Sequence, residues 1–347
     1  MKVTVAGYQA VTILHGGPNT QIRNTARHLA RYGVRVNFFD PWSRFRPADC
    51  DLFHIFAANI GTYHLAREIH TTGIPLVVSP IIYSRHSPQY VRTALRATRI
   101  VRWGGKGLWS DYQIALDICR WASRVLPNTH AEARLVSEGL GVPSPRIAVV
   151  PNGVDKRFAD ADPKLFRSRY HIDRFILNVG HTGHGRKNVL RLIRALSQIK
   201  HPAVIIGRII PGPYGDACVR EAARYPHIRL IDGLDNASAL LASAYSACDV
   251  FVLPSLFETP GIAALEAGLA GARVVITKHG GTEEYFGSMA TYVDPLSVES
   301  IRAGIVSALE QRPSAELREH IRKNYLWPRV AERTAAAYHE IADRKSA

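Results

Sequence analysis

The sequence predicts an α/β protein built as two Rossmann-like, doubly wound parallel-sheet domains. Three observations predict it. Short runs rich in Val, Ile and Phe alternate with longer amphipathic segments along the chain, which is the pattern of parallel strands buried on both faces and crossed over by helices. The alternation runs through twice, interrupted between Pro151 and Pro163 by a stretch rich in Pro, Asp and Gly, as at a domain boundary. The 347 residues, 46% hydrophobic and 21% charged, suffice for two cores of a globular protein.

In the first half, strands are expected at Lys2–Ala6, Arg35–Phe39, Leu52–Phe56, Pro75–Ser79, Arg124–Pro127 and Ile147–Val150. Helices are expected at Thr20–Tyr32, Tyr63–Thr71 and Ala131–Glu138. In the second half the strands are Phe175–Val179, Ala203–Ile206, Ile228–Leu230, Val250–Leu253, Arg273–Thr277 and Thr291–Val293. The helices there are Asn188–Gln198, Ala217–Arg224, Ala237–Ala247, Ile262–Ala270, Val298–Glu310 and Ala315–Asn324. The expected domains are 1–155 and 156–325, with 326–347 a closing helix that returns to the first domain. Pro328 marks a second crossing.

Cysteine usage points to a reducing compartment. Cys50, Cys119, Cys218 and Cys248 are scattered, with no C-x-x-C pair to suggest zinc or a disulfide framework. The N-terminus lacks the pattern of a signal peptide, and no apolar run reaches the length of a membrane span. A cytoplasmic protein is expected. Asp49-Cys-Asp51 and Asp160-Ala-Asp162 spell D-x-D, but one opens a strand and the other lies in the linker. Both read as solvated aspartates, so no metal and no cofactor are expected.

The segment with most chemistry is Phe257-Glu258-Thr259-Pro260-Gly261-Ile262-Ala263-Ala264-Leu265-Glu266-Ala267-Gly268. It lies between two apolar strands and reads as strand, turn, helix, strand. Pro260 suits the first turn of a helix, and Gly261 lets a ligand approach the backbone. Glu258 then sits at the carboxyl end of a strand, the rim where open α/β sheets bind ligands, and Glu266 lies within the helix. A second loop, Gly180-His181-Thr182-Gly183-His184-Gly185-Arg186-Lys187, follows a strand and can wrap phosphate oxygens. It grazes a P-loop, but Asn188 stands where a nucleotide hydrolase needs Ser or Thr for magnesium. Gly16-Gly17 precedes the helix expected near Thr20; a plain turn and a phosphate-approach site both fit it.

Taken together these segments resemble the retaining glycosyltransferase family 4, which has the two-domain GT-B fold with its Rossmann-like domains facing across a cleft. Further support comes from Val149-Val150-Pro151-Asn152-Gly153-Val154-Asp155 with Phe158, similar to the family's interdomain segment, and from Tyr325-Leu-Trp327-Pro328-Arg-Val-Ala331-Glu332, similar to its closing helix. The resemblance covers nearly the whole chain and is strongest in the second half. It implies transfer of a sugar from a UDP- or GDP-sugar to a sugar or lipid-linked glycan acceptor, in bacterial surface polysaccharide synthesis. It implies that Glu258 contacts the transferred sugar, Glu266 the nucleotide ribose and Lys187 the phosphates. Thr259, Gly261, Ile262, Gly16 and Gly17 would line the donor. His181 occupies the place where the family has an arginine, and Arg186 can supply the missing charge. The family's N-terminal histidine has no counterpart in Ser79-Pro80-Ile81-Ile82-Tyr83. His15 and His54 do not match its position, and a histidine in an apolar strand reads as structural. Other readings of the same fold are an epimerase, a phosphorylase, or a non-catalytic protein docking on membrane or RNA.

Charge is unevenly spread. The net charge is +15, and residues 1–150 hold 18 Lys and Arg against 8 Asp and Glu. No acidic residue falls between Glu68 and Asp111, where Arg85, Arg92, Arg96, Arg99, Arg102 and Lys106 are interleaved with Leu95, Ile100, Val101, Trp103, Leu108 and Trp109. This stretch reads either as a solvated helix face or as a contact with an anionic membrane surface. Nucleic acid is disfavoured because no nucleic-acid motif accompanies the charge.

Overall fold

The computed structural model describes residues 1–14, 16–104, 110–312 and 314–346, and side chains except at 14, 99–104 and 344–346. His15, Lys106, Leu108 and Trp109 of the sequence reading lie outside the described residues, as do the side chains of Arg99, Ile100, Val101, Arg102 and Trp103. The chain divides into two compact units, Met1–Gly153 with Trp327–Ala347, and Val154–Leu326.

Among the described residues the first unit holds five parallel strands, Lys2–Ala6 (β1), Arg35–Phe38 (β2), Leu52–Phe56 (β3), Leu76–Ser79 (β4) and Arg124–Val125 (β5), in the order β2-β1-β3-β4-β5. Its helices are Val11–Leu14 (α1), Gly17–Leu29 (α2), Ile60–Thr71 (α3), Pro88–Gly104 (α4), Asp111–Trp121 (α5) and His130–Arg134 (α6). Two-residue periodicity splits the buried strand residues between two cores. Phe53, Ile55, Leu76 and Val78 pack with Ala66 and Ile69 of α3 and Ile114 and Ile118 of α5. Val3, Val5, Leu52, Phe56 and Val77 pack with Ile22 and Leu29 of α2, and with Trp327, Val330 and Tyr338 of the terminal helix. The expected strand at Ile147–Val150 does not form a ladder. Ile147 makes one bridge to Val125, and the N–H groups of Ala148 and Val150 reach the carbonyls of Val125 and Pro127. The short β5 and the prolines at 127 and 151 deny it longer pairing.

The described residues of the second unit form six parallel strands, Ile176–Val179 (β6), Ala203–Ile206 (β7), Ile228–Ile231 (β8), Val250–Leu253 (β9), Arg273–Thr277 (β10) and Thr291–Val293 (β11), in the order β11-β10-β9-β6-β7-β8. Its helices are Lys164–Tyr170 (α7), Val189–Leu196 (α8), Pro213–Ala222 (α9), Ala239–Ala247 (α10), Ile262–Ala270 (α11), Thr282–Phe286 (α12), Val298–Glu310 (α13) and Glu316–Asn324 (α14). Phe251 and Leu253 face the core that includes α10, α11 and α14, while Val250 and Val252 face that of α8, α9 and α13. The final helix, Trp327–Ser346 (α15), belongs to the first unit and packs along α2. Among the described residues no helix is long and apolar enough to cross a membrane.

His54 is structural. It is 1% exposed at the centre of β3. One ring nitrogen lies 2.6 Å from the Tyr338 hydroxyl of α15 and the other 2.9 Å from the Ser79 hydroxyl, and the ring stacks on Phe56. Burial pushes its pKa down from 6.5 to about 3. Below pH 6.5 the unfolded chain therefore takes up a proton that the folded protein refuses. The stability this ring contributes is complete above pH 6.5 and declines as pH falls toward 3. Denaturant titrations from pH 7 to 5 should show His54→Asn, which cannot titrate, losing less stability than wild type, with a slope difference of up to about 1.4 kcal/mol per pH unit. Equal slopes would contradict a neutral buried imidazole.

Candidate active site

The strand order of the second unit places the site. From β6 the sheet grows outward in opposite directions, through β7 on one side and β9 on the other. The connections leaving the carboxyl ends of β6 and β9 therefore flank a topological switch point, where such sheets leave a crevice.

Both connections are held closely. After β6 the chain runs to a short turn at Gly185–Lys187 and then to Asn188, whose φ of 58° is left-handed. Asn tolerates that conformation better than most residues. Its side-chain amide donates to the carbonyls of Pro254 at 2.9 Å and Pro295 at 2.6 Å, and its oxygen accepts from Arg191. One residue thus ties the β6 connection to those after β9 and β11. After β9, the Leu256 N–H reaches the Arg186 carbonyl, and Glu258 pairs through its backbone with His279 and Gly281. Gly280 has φ +106°, and a Cβ there would fall on the Glu258 carbonyl oxygen. Only glycine fits that crossing.

These contacts bring three of the expected residues together. Lys187 Nζ lies 2.6 Å from Glu258 Oε1, and Arg186 Nη1 lies 3.4 Å from the same oxygen. Arg186 also donates to the Phe257 carbonyl at 3.0 Å and lies over the Phe257 ring. The Glu258 side chain is 8% exposed, against 18% for Lys187 and 41% for Arg186. Burial works to raise the Glu258 pKa, but the charges of Lys187 and Arg186, with the hydrogen bond from Lys187, hold it below the usual range. Two cations converge on one carboxylate, so the cluster keeps a surplus positive charge that opens to solvent through Arg186. Such buried pairs add little net stability compared with apolar packing, which favours a functional reason for keeping one.

Glu266 forms a separate cluster. It lies on α11 and is 4% exposed. Its carboxylate accepts from the Tyr245 hydroxyl at 2.7 Å and the Asn236 amide at 3.1 Å. Burial raises its pKa, opposed by those two hydrogen bonds and by the charge of Arg157. Arg157 in turn donates to the Asn236 and Ser238 carbonyls and lies 4.1 Å over the Phe158 ring. Pro260 is not in the first helical turn as expected. The helix starts at Ile262 and is capped by Gly261 at φ +76°, a left-handed cap that a β-carbon disfavours. The first intrahelical bonds run from Ala264 and Leu265 to the Gly261 carbonyl. The N–H groups of Gly261, Ile262 and Ala263 therefore precede the ladder and face outward from the helix start. Thr259 is half-buried in the same turn.

Other expected residues lie elsewhere. His181 is half-buried directly after β6, its ring edge-on to His184 at 5.9 Å. Gly16 and Gly17 belong to the first unit, where α2 begins at Gly17 rather than near Thr20, with Pro18 in its first turn. Gly16 caps it at φ −102°, open to any residue, and a Cβ there would meet only Pro18 at 3.9 Å. The fold does not require glycine at the Gly16 cap.

Two residues of the first unit went unread. At the carboxyl ends of β3 and β4, Ala57 and Ile81 hold positive φ values of 77° and 51°. Buried Glu132 pins the second turn, accepting from the Ile82 N–H at 2.8 Å and the Asn128 N–H at 2.7 Å. The sequence signal was Thr129-His-Ala-Glu132, a capping-box spacing. Tyr245 and Asn236 carried no signal, because they meet Glu266 only through the packing of α10 and the β8 connection.

The model of the glycosyl transferases group 1 matches residues 166–325, and that of Glycosyltransferase Family 4 matches residues 42–158, together most of the chain. The chain belongs to glycosyltransferase family 4. An uncharacterized glycosyltransferase of Methanocaldococcus jannaschii is 28% identical over 274 residues, 72% of this chain and 68% of its own length. This family 4 glycosyltransferase also shares its GT-B fold with solved structures. Sucrose-phosphate synthase from Thermosynechococcus elongatus superposes with a TM-score of 0.76 at 16% identity, covering 99% of both chains. Anabaena HepE, solved in complex with UDP and glucose, superposes with a TM-score of 0.66 at 17% identity, covering 99% of both.

In this glycosyltransferase the left-handed turn at Asn188 sets the position of Lys187. Asn188→Gly keeps the permitted conformation and loses only the amide bonds, whereas Asn188→Ala loses both. Thermal unfolding should show Asn188→Ala to be the less stable by about 1 kcal/mol. Equal stability would mean that the left-handed turn is not maintained.

Proposed function

We propose that this glycosyltransferase takes a nucleoside-diphosphate sugar, UDP- or GDP-linked, into the second unit and transfers the sugar with retention of anomeric configuration. The convergence of Lys187 and Arg186 on Glu258 at the switch point carries this reading. A diphosphate leaving group needs its developing charge stabilised rather than a proton delivered. Lys187, Arg186 and the N–H groups at the start of α11 supply cationic and dipolar partners for it. Glu258 is held ionised and accepts from hydroxyls of the transferred sugar. Glu266, oriented by Tyr245, accepts from the ribose. His181 lines the phosphate side. The HepE complex with UDP and glucose supports the donor class by likeness of fold. No metal is assigned a role.

The acceptor is a sugar or lipid-linked glycan of a bacterial surface polysaccharide, met at an anionic membrane face. Arg92 and Arg96 are exposed on α4, while Val91 and Leu95 on the same helix are buried. That is the arrangement of a basic face backed by the core.

Calorimetric titration with UDP and GDP should show Glu266→Ala losing about 1–3 kcal/mol of affinity and Tyr245→Phe losing less. Unchanged affinity in folded Glu266→Ala would remove the ribose assignment. Lys187→Ala should lower kcat for release of nucleoside diphosphate more than it raises KM, with the activity insensitive to EDTA. A normal kcat would contradict the leaving-group role. NMR of the product should show the donor's anomeric configuration retained; an inverted product would overturn that part. Replacing Arg92, Arg96 and Arg99 with Ser should weaken salt-sensitive binding to anionic vesicles and spare donor hydrolysis. Equal vesicle binding by wild type and variant would leave α4 a solvated face.

A further inference from the structure

The connection from β2 to β3 carries a tryptophan that the core does not use. Trp42 is 95% exposed, the highest value among the large exposed hydrophobic side chains described. Its exposure does not come from a slack chain. The Asp40 carboxylate accepts the Trp42 N–H at 2.9 Å and the Ser43 hydroxyl at 2.5 Å. On either side, Phe39 and Phe45 pack edge-on to each other and to Phe53 of β3, with ring centroids 5.7–6.0 Å apart. Three phenylalanines anchor the turn and Asp40 braces its tip, so the indole is held outward. Leaving so large an apolar surface in water forgoes the stabilisation that burial would bring.

The surroundings narrow what would cover it. Arg44 and Arg46 are exposed beside the indole on the same turn. Of the exposed aspartates of this connection, Asp40 is engaged by Trp42 and Ser43, Asp51 accepts from the Lys2 N–H, and Asp49 lies where the chain returns to β3. Phe38, at the end of β2, is 58% exposed, and Ile13 and Ile60, on the connections after β1 and β3, are 67% and 62% exposed. The order β2-β1-β3 sets these three connections side by side. Apolar tips beside exposed arginines, in a half-chain with 18 basic against 8 acidic residues, complement a surface that is apolar within and anionic at its face.

We propose that the Trp42 turn is an insertion point for an anionic phospholipid bilayer. The indole seats at the boundary between headgroups and acyl chains, where its apolar body and N–H are both satisfied. Arg44 and Arg46 pair with lipid phosphates. This extends the membrane reading to a second surface and rests on a different observation from the basic face of α4.

The test uses the full chain with vesicles of phosphatidylcholine alone or mixed with phosphatidylglycerol, the latter also with brominated acyl chains. The difference in emission between wild type and Trp42→Phe isolates Trp42 from the other four tryptophans. That emission should shift to shorter wavelength with the anionic vesicles and be quenched by the brominated lipid. Arg44→Ser with Arg46→Ser should weaken the partition constant roughly thirtyfold at low salt. Trp42 quenching should persist in the Arg92, Arg96 and Arg99 triple Ser variant when vesicle concentration is raised to restore binding. Vesicle binding without a shift or quenching of Trp42 would overturn this proposal and leave the α4 reading standing. Absence of binding to anionic vesicles at low salt would overturn both. An equal response to neutral vesicles would overturn the role of the two arginines.

Discussion

The carboxylate of Glu258, buried beneath Lys187 and Arg186, is the interaction on which the arrangement of the second unit turns. It joins two connections 71 residues apart in sequence, and both must be placed to within a few tenths of an ångström for the ion pair to form. The surrounding features serve that placement. Asn188 fixes the turn that aims Lys187. Gly280 allows the β10 connection to cross against Glu258. Gly261 caps α11 in a conformation that directs unpaired N–H groups outward. Each is a local irregularity that regular strands and helices would not produce, and each sits at the switch point of the sheet.

The two glutamates of the signature segment divide the work through their surroundings. Glu258 is pulled toward ionisation by two cations, and Glu266 is pushed toward protonation by burial and steadied by Tyr245 and Asn236. A carboxylate already paired with cations is suited to a charged or strongly polar ligand that competes for them. One shared with neutral hydrogen-bond donors is suited to exchange with hydroxyls. In the first unit, His54 with Tyr338 and Ser79, and Glu132 with two backbone N–H groups, hold strands, loops and the terminal helix together.

Much of the fold was legible in the sequence because parallel strands buried on both faces must be apolar throughout. Lys2–Ala6, Leu52–Phe56, Ala203–Ile206, Val250–Leu253, Arg273–Thr277 and Thr291–Val293 stand where the runs predicted them. Ile147–Val150 has the same composition and failed, because strand formation depends on a neighbour long enough to pair with. Asp111–Trp121 went unread as a helix although Ser110 caps it. Glu258, Glu266 and Lys187 were legible as a motif and a loop. Their partners were not: Tyr245 and Asn236 reach Glu266 only once α10 and the β8 connection pack against α11, and no periodicity encodes that. The left-handed Asn188 and the crossing at Gly280 were visible as residue types but not as geometry.

The account is tested most directly by nucleoside-diphosphate affinity across four proteins: wild type, Lys187→Ala, Glu258→Gln and the double variant. If Lys187 exchanges Glu258 for the diphosphate, Glu258→Gln relieves both competition and repulsion and tightens UDP or GDP binding. The gain should shrink by more than half when Lys187 is already absent, because the two changes act on one interaction. An unaltered or weakened affinity in Glu258→Gln, with the same change in both backgrounds, would contradict the assignment of this ion pair as the place where the donor's diphosphate docks.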